Sequence, residues 1–223
     1  MALYYGDLLP FTGILLQGLW VGLYVTVIAM LAGSVLGVLL YLGKSGRSRV
    51  LSGFSSGYIE VFRNTPLLVQ LYLIYFGLPQ LGLNVSSIWA ALIGLTLNNA
   101  AYTAEIYRAG FEAVPVGLRE AASALGMKGG DIVRYVLLMP ATRNVFPSLT
   151  NQFILLFLAS SIGSIISLPE LTNAIMDVSN TTYRTVEALS IGGLLYFVVS
   201  WLLAMGSRYT EARLFRWARR SHV

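Results

Sequence analysis

Long stretches without a charged residue alternate with short charged segments along the 223-residue chain. Four such stretches, of 36, 41, 26 and 20 residues, lie between Asp7 and Lys44, Arg63 and Glu105, Arg143 and Glu170, and Glu187 and Arg208. A helix rises about 1.5 Å per residue, so roughly 20 apolar residues cross a hydrocarbon core of about 30 Å. Each stretch is therefore long enough to span a bilayer once, and the second is long enough to span it twice.

The pattern predicts five membrane-spanning helices, near residues 12–41, 58–79, 88–108, 144–167 and 187–207. The 41-residue stretch contains a turn-rich segment with Pro79, Gly82 and Asn84, which indicates a short hairpin outside the hydrocarbon. Strands of a membrane barrel have roughly 10 residues of alternating character, whereas these runs are continuously apolar. The predicted fold class is therefore an all-α, polytopic membrane helical bundle that forms one domain over residues 1–223.

The composition supports this class and excludes most soluble enzymes. Hydrophobic residues make up 56% of the chain and charged residues only 11%, against about 25% charged in an ordinary soluble domain. The chain has no cysteine and one histidine, His222, which excludes disulfides and a metal site built from histidine or cysteine. The first apolar run follows Asp7 and not a basic region, so we expect a retained helix and not a signal peptide.

Basic residues gather on one side of the five predicted helices. Of the 15 Lys and Arg residues, 14 flank or lie within the first connection, the connection between the third and fourth helices, and the tail 208–223, and only Arg184 falls on the other side. Positively charged loops remain in the cytoplasm, so we expect an outside N-terminus and a cytoplasmic C-terminus. The net charge of +5 is spread over membrane-flanking segments, which argues against a nucleic-acid partner. Phe215 and Trp217, among arginines of the tail, suit an anionic membrane surface.

The long cytoplasmic connection, about residues 110–142, has the composition of ordered structure. Pro115 suits the start of a helix, and helix-favouring residues follow as far as the predicted stop at Gly126. Asp131 then predicts the N-cap of a second short helix, which Pro140 ends. We therefore expect a helix, a glycine turn and another helix at the cytoplasmic membrane face.

Four side chains of the first of these helices could contact a partner protein. Ala121 and Ala122 are small enough for close approach, and Arg119 and Glu120 could form ion pairs. A connector that lies on the membrane and contacts no partner fits the same residues. The sequence pattern alone leaves both interpretations open.

Three motifs, in this order, are similar to those of a known family. They are Phe62-Arg63-Asn64-Thr65-Pro66-Leu67-Leu68-Val69-Gln70, Ala101-Tyr102-Thr103-Ala104-Glu105-Ile106-Tyr107-Arg108-Ala109-Gly110, and Glu120-Ala121-Ala122 followed by Gly126 and Leu138-Met139-Pro140. Over about residues 12–207 the chain resembles the permeases of ATP-binding cassette importers. The resemblance is to the subgroup that takes up polar amino acids, namely histidine, glutamine, glutamate, arginine and opines.

The resemblance implies a transmembrane subunit of an amino acid importer in a bacterial inner membrane. The implied partners are a second permease subunit, identical or sibling, two cytoplasmic ATPase subunits and an extracytoplasmic amino acid binding protein. The chain itself would be no enzyme and bind no cofactor, because ATP and Mg belong to the ATPase. Residues implied to couple to that ATPase are Pro115, Arg119, Glu120, Ala121, Ala122 and Gly126. The basic tail could also contact it.

The chain departs from the amino acid subgroup in two places. Asn64 stands where a glycine is more usual, and residues 155–162 are uncharged where relatives often carry a lysine, an acid and Thr-Ser. The second departure leaves substrate contacts of the fourth helix unassigned. It also fits a sibling subunit in an asymmetric pair of permeases.

Polar residues inside the predicted helices are candidate transport groups, because such residues usually face protein or water. Asn98, Tyr102 and Glu105 share one face of the third helix and could border the translocation path. In that hypothesis, Asn98 and Tyr102 hydrogen-bond the amino acid. The alternative is that Glu105 pairs with Arg108 and the amides join neighbouring helices.

Two further polar segments lie later in the chain. Ser160 and Ser164 share a face of the fourth helix, where they could permit close helix packing or line a pore. The outer segment 168–186 is predicted to be a polar loop. By resemblance, it would meet the binding protein.

Two other functions fit a small helical membrane protein. One is a stand-alone secondary transporter in which Glu105 carries a proton, and the other is a passive anchor for an enzyme complex. Five spans make a small carrier, and the sequence shows no internal repeat to form its two halves. A passive anchor leaves the ordered segment 115–140 without a purpose. The sequence therefore favours the importer permease.

Overall fold

The computed structural model describes residues 3–215, which form helices joined by short connections. The helices are α1 (Thr12–Ser45), α2 (Arg49–Asn64), α3 (Leu67–Tyr72), α4 (Ser87–Glu112), α5 (Val116–Ala124), α6 (Gly129–Asp131), α7 (Leu138–Ala159), α8 (Leu171–Thr182) and α9 (Thr185–Leu214). No strand occurs between residues 3 and 215, so the predicted all-α class is confirmed for this part of the chain. Trp217 and His222, named above, lie outside the described residues.

Three continuous helical stretches are long and apolar enough to cross a membrane: Gly6–Ser45, Gly129–Ile166 and Thr185–Leu214. A fourth, Leu67–Leu81, is apolar but shorter. Helix α4 has 26 residues, but it contains polar residues such as Asn98 and is less apolar than these three stretches. The chain is therefore a helical bundle with several membrane-spanning helices.

Helices α1 and α4 form the centre of the bundle because glycines of α1 allow close approach. A Cβ on Gly33 would lie only 2.6 Å from the Asn99 Nδ2 atom of α4. The Thr103 hydroxyl of α4 donates a hydrogen bond of 3.1 Å to the Gly33 carbonyl oxygen. Small residues at a helix crossing permit such packing in a membrane. Helices α2 and α7 pack on this central pair, and α9 packs on α7 and α8.

The single helix predicted at residues 58–79 is wrong, because the chain breaks there into two helices. Helix α2 starts before residue 58 and ends at Asn64, and α3 starts only at Leu67. Pro66 has no backbone N–H to donate, and it restricts the residue before it to extended backbone. Thr65 accordingly has φ −111° and ψ 139°. The missing hydrogen bond and the extended residue together end α2.

The segment 168–186, predicted as a polar loop, is also different: most of it forms α8. Leu171, Ile175 and Val178 are buried against the start of α1 and α9. These residues recur at the spacing of one helix face, so the polar residues between them occupy the other face. The prediction was wrong because it weighed the number of polar residues and not their spacing.

A buried acid begins α8. The Glu170 Oε1 atom accepts a hydrogen bond of 2.9 Å from the Asn173 N–H, and Oε2 accepts one of 2.7 Å from the Tyr196 hydroxyl of α9. The Glu170 side chain is fully buried, and this burial raises the pKa of its carboxyl above the usual range, although the hydrogen bonds act in the opposite direction. Glu170 therefore caps α8 and joins it to α9.

The separate short helix predicted between Asp131 and Pro140 is wrong as well. The helix resumes at Gly129 and continues through α6, a π-helical turn over Ile132–Leu137, α7 and a 3₁₀ turn to Ile166. Asp131 is the third residue of this helix and Lys128 occupies the N-cap position. Pro140 does not end the helix because the wider π-helical turn before it changes the hydrogen-bond register where the proline ring meets the preceding turn.

Charged residues gather at the two ends of α1. Just before its start, the Asp7 carboxylate lies 3.3 Å from the Arg184 guanidinium. At its other end, the Lys44 ammonium lies 2.8 Å from the Glu105 carboxylate. A helix of 34 residues is about 50 Å long, so these two clusters lie at opposite ends of the bundle.

Candidate functional site

A cavity of about 440 Å³ opens between α2, α4 and α7, beside the break that precedes α3. Its polar lining residues are Arg63, Asn64, Thr65, Asn98, Tyr102 and Gln152. Its apolar lining residues are Pro66, Leu67, Leu155, Leu156, Ala159 and Ile162. Four of these apolar residues come from α7 and the turn after it, so one wall of the cavity is apolar.

Two amide side chains donate hydrogen bonds to the backbone carbonyl oxygens at the break between α2 and α3. Gln70 Nε2 donates hydrogen bonds of 3.0 and 3.1 Å to the carbonyl oxygens of Phe62 and Thr65. Asn98 Nδ2 donates to the Phe62 carbonyl oxygen at 3.3 Å and to Gln70 Oε1 at 3.1 Å. In a continuous helix the N–H of residue 66 would bind the Phe62 carbonyl, but Pro66 has none. The amides thus replace a missing backbone donor beside the cavity.

The same hydrogen bonds decide which atoms Asn98 and Gln152 present to the cavity. In the described part of the chain, the Asn98 amide group donates to Gln70 and Phe62. The Gln152 amide group donates to Asn99 Oδ1 at 3.1 Å. Their NH₂ groups are therefore engaged by the protein. The carbonyl oxygens of Asn98 and Gln152 remain as acceptors for a bound molecule.

Arg63 supplies a positive charge at the polar side of the cavity. Its guanidinium carbon lies 5.5 Å from the centre of the Tyr102 ring, within reach of a cation–π interaction. Its Nη1 atom lies 3.8 Å from Glu105 Oε2. Glu105 has closer partners, since Lys44 and Arg108 lie 2.8 and 2.7 Å from its carboxylate oxygens. Arg63 is thus the most loosely held cation of this group.

The candidate pathway residues of α4 are divided between the cavity and this ion-pair network. Asn98 and Tyr102 line the cavity. Glu105 lies next to it and forms the ion pair with Arg108 that the sequence offered as the alternative. Arg108 also pairs with Glu112, at 2.6 Å. The network extends along the last turns of α4 towards α5.

The two candidate serines lie elsewhere. Ser160 is buried, and its hydroxyl donates a hydrogen bond of 2.7 Å to the Phe157 carbonyl oxygen of the preceding turn. A Cβ on Gly22 of α1 would lie 3.5 Å from this hydroxyl. The Ser164 hydroxyl donates a hydrogen bond of 2.7 Å to the Ser161 carbonyl oxygen. The cavity lining described above includes neither serine, and Ser160 lies at the crossing with α1.

The predicted start and end of the helix in the cytoplasmic connection are confirmed. Pro115 occupies the N-cap position of α5. Gly126 follows its end with φ +79°, a left-handed conformation that favours glycine. The Met127 N–H donates to the Ala122 carbonyl oxygen at 3.2 Å, which closes the Schellman turn typical of such helix ends.

The exposed surface of α5 differs from the one predicted. Arg119, Glu120 and Ala121 are exposed, but Ala122 is only 4% exposed because it packs towards the π-helical turn before α7. This surface also contains large apolar residues that the sequence prediction did not include. Val116 and Leu125 are 68% and 84% exposed, and Leu118 is also exposed. Large apolar residues between charged and small ones were the signal that could have identified them.

A bundle of apolar helices around a partly polar cavity places the chain in the class of membrane transport proteins. Residues 29–216 match the family described as "Binding-protein-dependent transport system inner membrane component". The chain is 37% identical to the arginine transport system permease protein ArtQ of Bacillus subtilis (strain 168), over 96% of this chain and 98% of that protein. It is also 37% identical to the octopine transport system permease protein OccM of Rhizobium radiobacter, over 85% of this chain and 81% of that protein.

Solved structures give the same result. A crystal structure of an amino acid ABC transporter with histidines matches with a TM-score of 0.92 and 37% identity, over 96% of this chain and 100% of that chain. An inward-facing structure of the MetNI methionine ABC transporter matches with a TM-score of 0.76 at 24% identity, over 92% of this chain and 98% of that chain, and shows the shared fold. The chain belongs to the family of binding-protein-dependent transport system inner membrane components. It is an ABC transporter permease.

Proposed function

We propose that this chain forms half of the translocation pathway of an ATP-driven amino acid importer, with the cavity between α2, α4 and α7 as its substrate site. The observation that carries this proposal is the meeting of Arg63, Asn98, Tyr102 and Gln152 at a broken helix. Non-helical backbone at membrane depth is tolerated where it lines a cavity, and transporters bind substrates at such breaks. Relatives named for arginine, glutamine and octopine transport support an amino acid substrate.

The proposed topology has five membrane crossings in one domain. They are α1, α2 with α3, α4, α6 with α7, and α9, with the N-terminus outside and the C-terminus in the cytoplasm. This arrangement puts Asp7 and Arg184 outside, and it puts the ion pairs of Glu105 at the cytoplasmic end. It is supported by the bias of Lys and Arg along the sequence and by the position of these clusters at opposite ends of α1.

The proposed complex contains a second permease, identical or sibling, two ATPase subunits and an extracytoplasmic binding protein in a bacterial inner membrane. The family description, which names binding-protein-dependent transport, supports this composition. In this complex the ATPase subunits hold ATP and Mg. The permease supplies the pathway and no catalysis of its own.

Coupling to the ATPase follows from the position of α5 in the chain. Helix α5 connects α4 to α6 and α7, and both α4 and α7 line the cavity. The exposed side chains of Val116, Leu118 and Leu125 suit burial in a groove of the ATPase. Since α5 packs on the π-helical turn that continues into α7, a push on α5 reaches α7 through that turn. Movement of α5 therefore changes the separation of two cavity walls.

The test is ATP hydrolysis by the reconstituted complex, with the binding protein and a panel of amino acids. We expect Gly126→Val to lose most of the amino acid stimulation, because a β-branched residue does not tolerate the φ of +79°. Gly126→Asn should retain more, since asparagine adopts left-handed backbone more readily. Gly53→Ala, in α2 with open space around a Cβ, is the control. Full stimulation in an assembled Gly126→Val complex would contradict coupling through α5, and no stimulation of the wild type would contradict the importer.

A further inference from the structure

We propose that the cavity takes amino acids with uncharged side chains, that Arg63 binds their α-carboxylate, and that cationic amino acids such as arginine are rejected. This inference rests on the proposed function, because it takes the cavity between α2, α4 and α7 as the substrate site. It goes against the substrate in the name of one similar permease, which is an arginine transport protein. The lining of this chain's own cavity is the reason.

Arg63 is the only charged side chain among the described residues that line the cavity. A guanidinium is planar and carries five N–H donors, so it can bind a carboxylate with two parallel hydrogen bonds. The Arg63 side chain is 43% exposed, and its contact with Glu105 is the long one, at 3.8 Å. Its position over the Tyr102 ring holds the group in place without using its N–H donors. Arg63 is therefore free to bind an anionic group.

The α-ammonium group of an amino acid needs acceptors, and the cavity offers them without any acid. Asn98 and Gln152 use their NH₂ groups within the protein, at 3.1 Å from Gln70 Oε1 and Asn99 Oδ1 respectively. Both residues line the cavity, and their carbonyl oxygens remain as acceptors; Tyr102 adds a hydroxyl to the same lining. These groups suit one ammonium group. None of them carries the negative charge that a second cation would require.

The apolar wall formed by α7 and the turn after it would surround the substrate side chain. It consists of Leu155, Leu156, Ala159 and Ile162, which are all apolar. A charged side chain placed against this wall would lose water without gaining a partner, and such burial is strongly unfavourable. An uncharged side chain would instead gain from the removal of apolar surface from water.

The charges beside the cavity act against cations as well. Lys44, Arg63 and Arg108 surround Glu105, and Arg108 also pairs with Glu112. Three cations and two carboxylates leave one positive charge in excess. Both oxygens of Glu105 have closer partners than Arg63, at 2.8 and 2.7 Å, so this acid is not available to a substrate guanidinium.

The first test compares ligands on the wild-type complex of permease and ATPase in nanodiscs, without the binding protein. Binding of L-leucine, L-leucinamide, L-glutamine and L-arginine is measured by competition with radiolabelled L-leucine. Leucinamide keeps the side chain and the ammonium group but has no carboxylate. We expect L-leucine and L-glutamine to bind at least about ten-fold more tightly than leucinamide and arginine, the effect of one charge-assisted contact.

The second test changes the two features separately. Arg63→Gln should weaken L-leucine binding by about ten-fold or more and abolish the preference for L-leucine over leucinamide. Arg63→Lys should restore part of that preference. Leu155→Glu, at a half-exposed wall position, should create binding of L-arginine, whereas Leu155→Gln, of the same size and without charge, should not. Gel filtration with the ATPase verifies assembly of each variant.

The outcomes separate this inference from the proposed function. If L-arginine or leucinamide binds the wild type as well as L-leucine does, the inference is overturned while the cavity remains the substrate site. If no amino acid binds and cavity variants leave uptake unchanged, the cavity is not the substrate site and both fail. A preference for L-leucine over leucinamide that survives in Arg63→Gln would overturn the role of Arg63 alone.

Discussion

Gly37 shows how one absent side chain sets the distance between two helices. A Cβ at this position of α1 would clash with Thr103 Oγ1 of α4 and lie 3.1 Å from the Ala100 carbonyl oxygen. The Thr103 hydroxyl is fixed by its own hydrogen bonds, including the one to Gly33. It cannot turn away without losing them. Gly13, in the same helix, has no atom within 4 Å of its Cβ position.

We therefore expect Gly37→Ala to destabilise the permease by about 1–3 kcal/mol, the usual effect of overpacking. Gly13→Ala should be neutral or stabilise by about 0.5–1 kcal/mol, because alanine favours a helix. Thermal unfolding of both variants in one detergent measures the difference. Equal melting temperatures for the two would mean that α1 and α4 can separate freely at this crossing.

At the scale of elements, the break between α2 and α3 depends on a side chain from within α3. Gln70 is 7% exposed, and its amide binds the carbonyl oxygen of Thr65 and that of Phe62, which Pro66 leaves without a helical donor. In a membrane, water cannot replace such a donor. The shape of the cavity at this end therefore depends on Gln70 as much as on Pro66.

We expect Gln70→Ala to destabilise the permease by about 1–3 kcal/mol, because the carbonyl oxygens of Phe62 and Thr65 each lose a donor and the buried Asn98 amide loses its acceptor on Gln70. Uptake should fall with it, because Arg63 and Asn64 sit on the end of α2 that Gln70 holds. Gln80→Ala, at an exposed position after α3, is the matched control. Unfolding temperature and uptake in proteoliposomes are the measurements. An unchanged unfolding temperature in Gln70→Ala would show that the break is stable without this amide.

For the whole molecule, the proposed topology places α8 outside and α5 in the cytoplasm. The chain has no cysteine, so single cysteines can report on each side without background. We expect Thr181→Cys to react with a membrane-impermeant maleimide in intact cells. Lys128→Cys should react only after the membrane is opened, and both positions are exposed. Labelling of both cysteines in intact cells would contradict five crossings.

Features that depend on neighbours in the chain could be predicted from the sequence. The all-α class follows from long apolar runs, since hydrophobicity is a property of each segment by itself. The start of α5 at Pro115 and its end at Gly126 follow from the fixed φ of proline and the freedom of glycine. Asn98 and Tyr102 were found because one helix turn relates them.

Features that depend on distant residues could not be predicted in this way. Arg63, Asn98 and Gln152 come from three different helices, and their place at one cavity exists only after packing. The inward position of Ala122 depends on the π-helical turn that precedes α7. The spacing of apolar residues in α8 indicates its buried face, but only the tertiary structure shows that this face packs on α1 and α9.

The sequence by itself therefore determined the class of the protein, its apolar helices and its family motifs, because these depend on composition and on short spacings. The tertiary structure alone decided that Glu105 belongs to an ion-pair network and that Arg63 faces the cavity. Both residues carry charges at the same end of the bundle. Which one a substrate meets depends on which has nearer partners, and a linear sequence does not contain distances between helices.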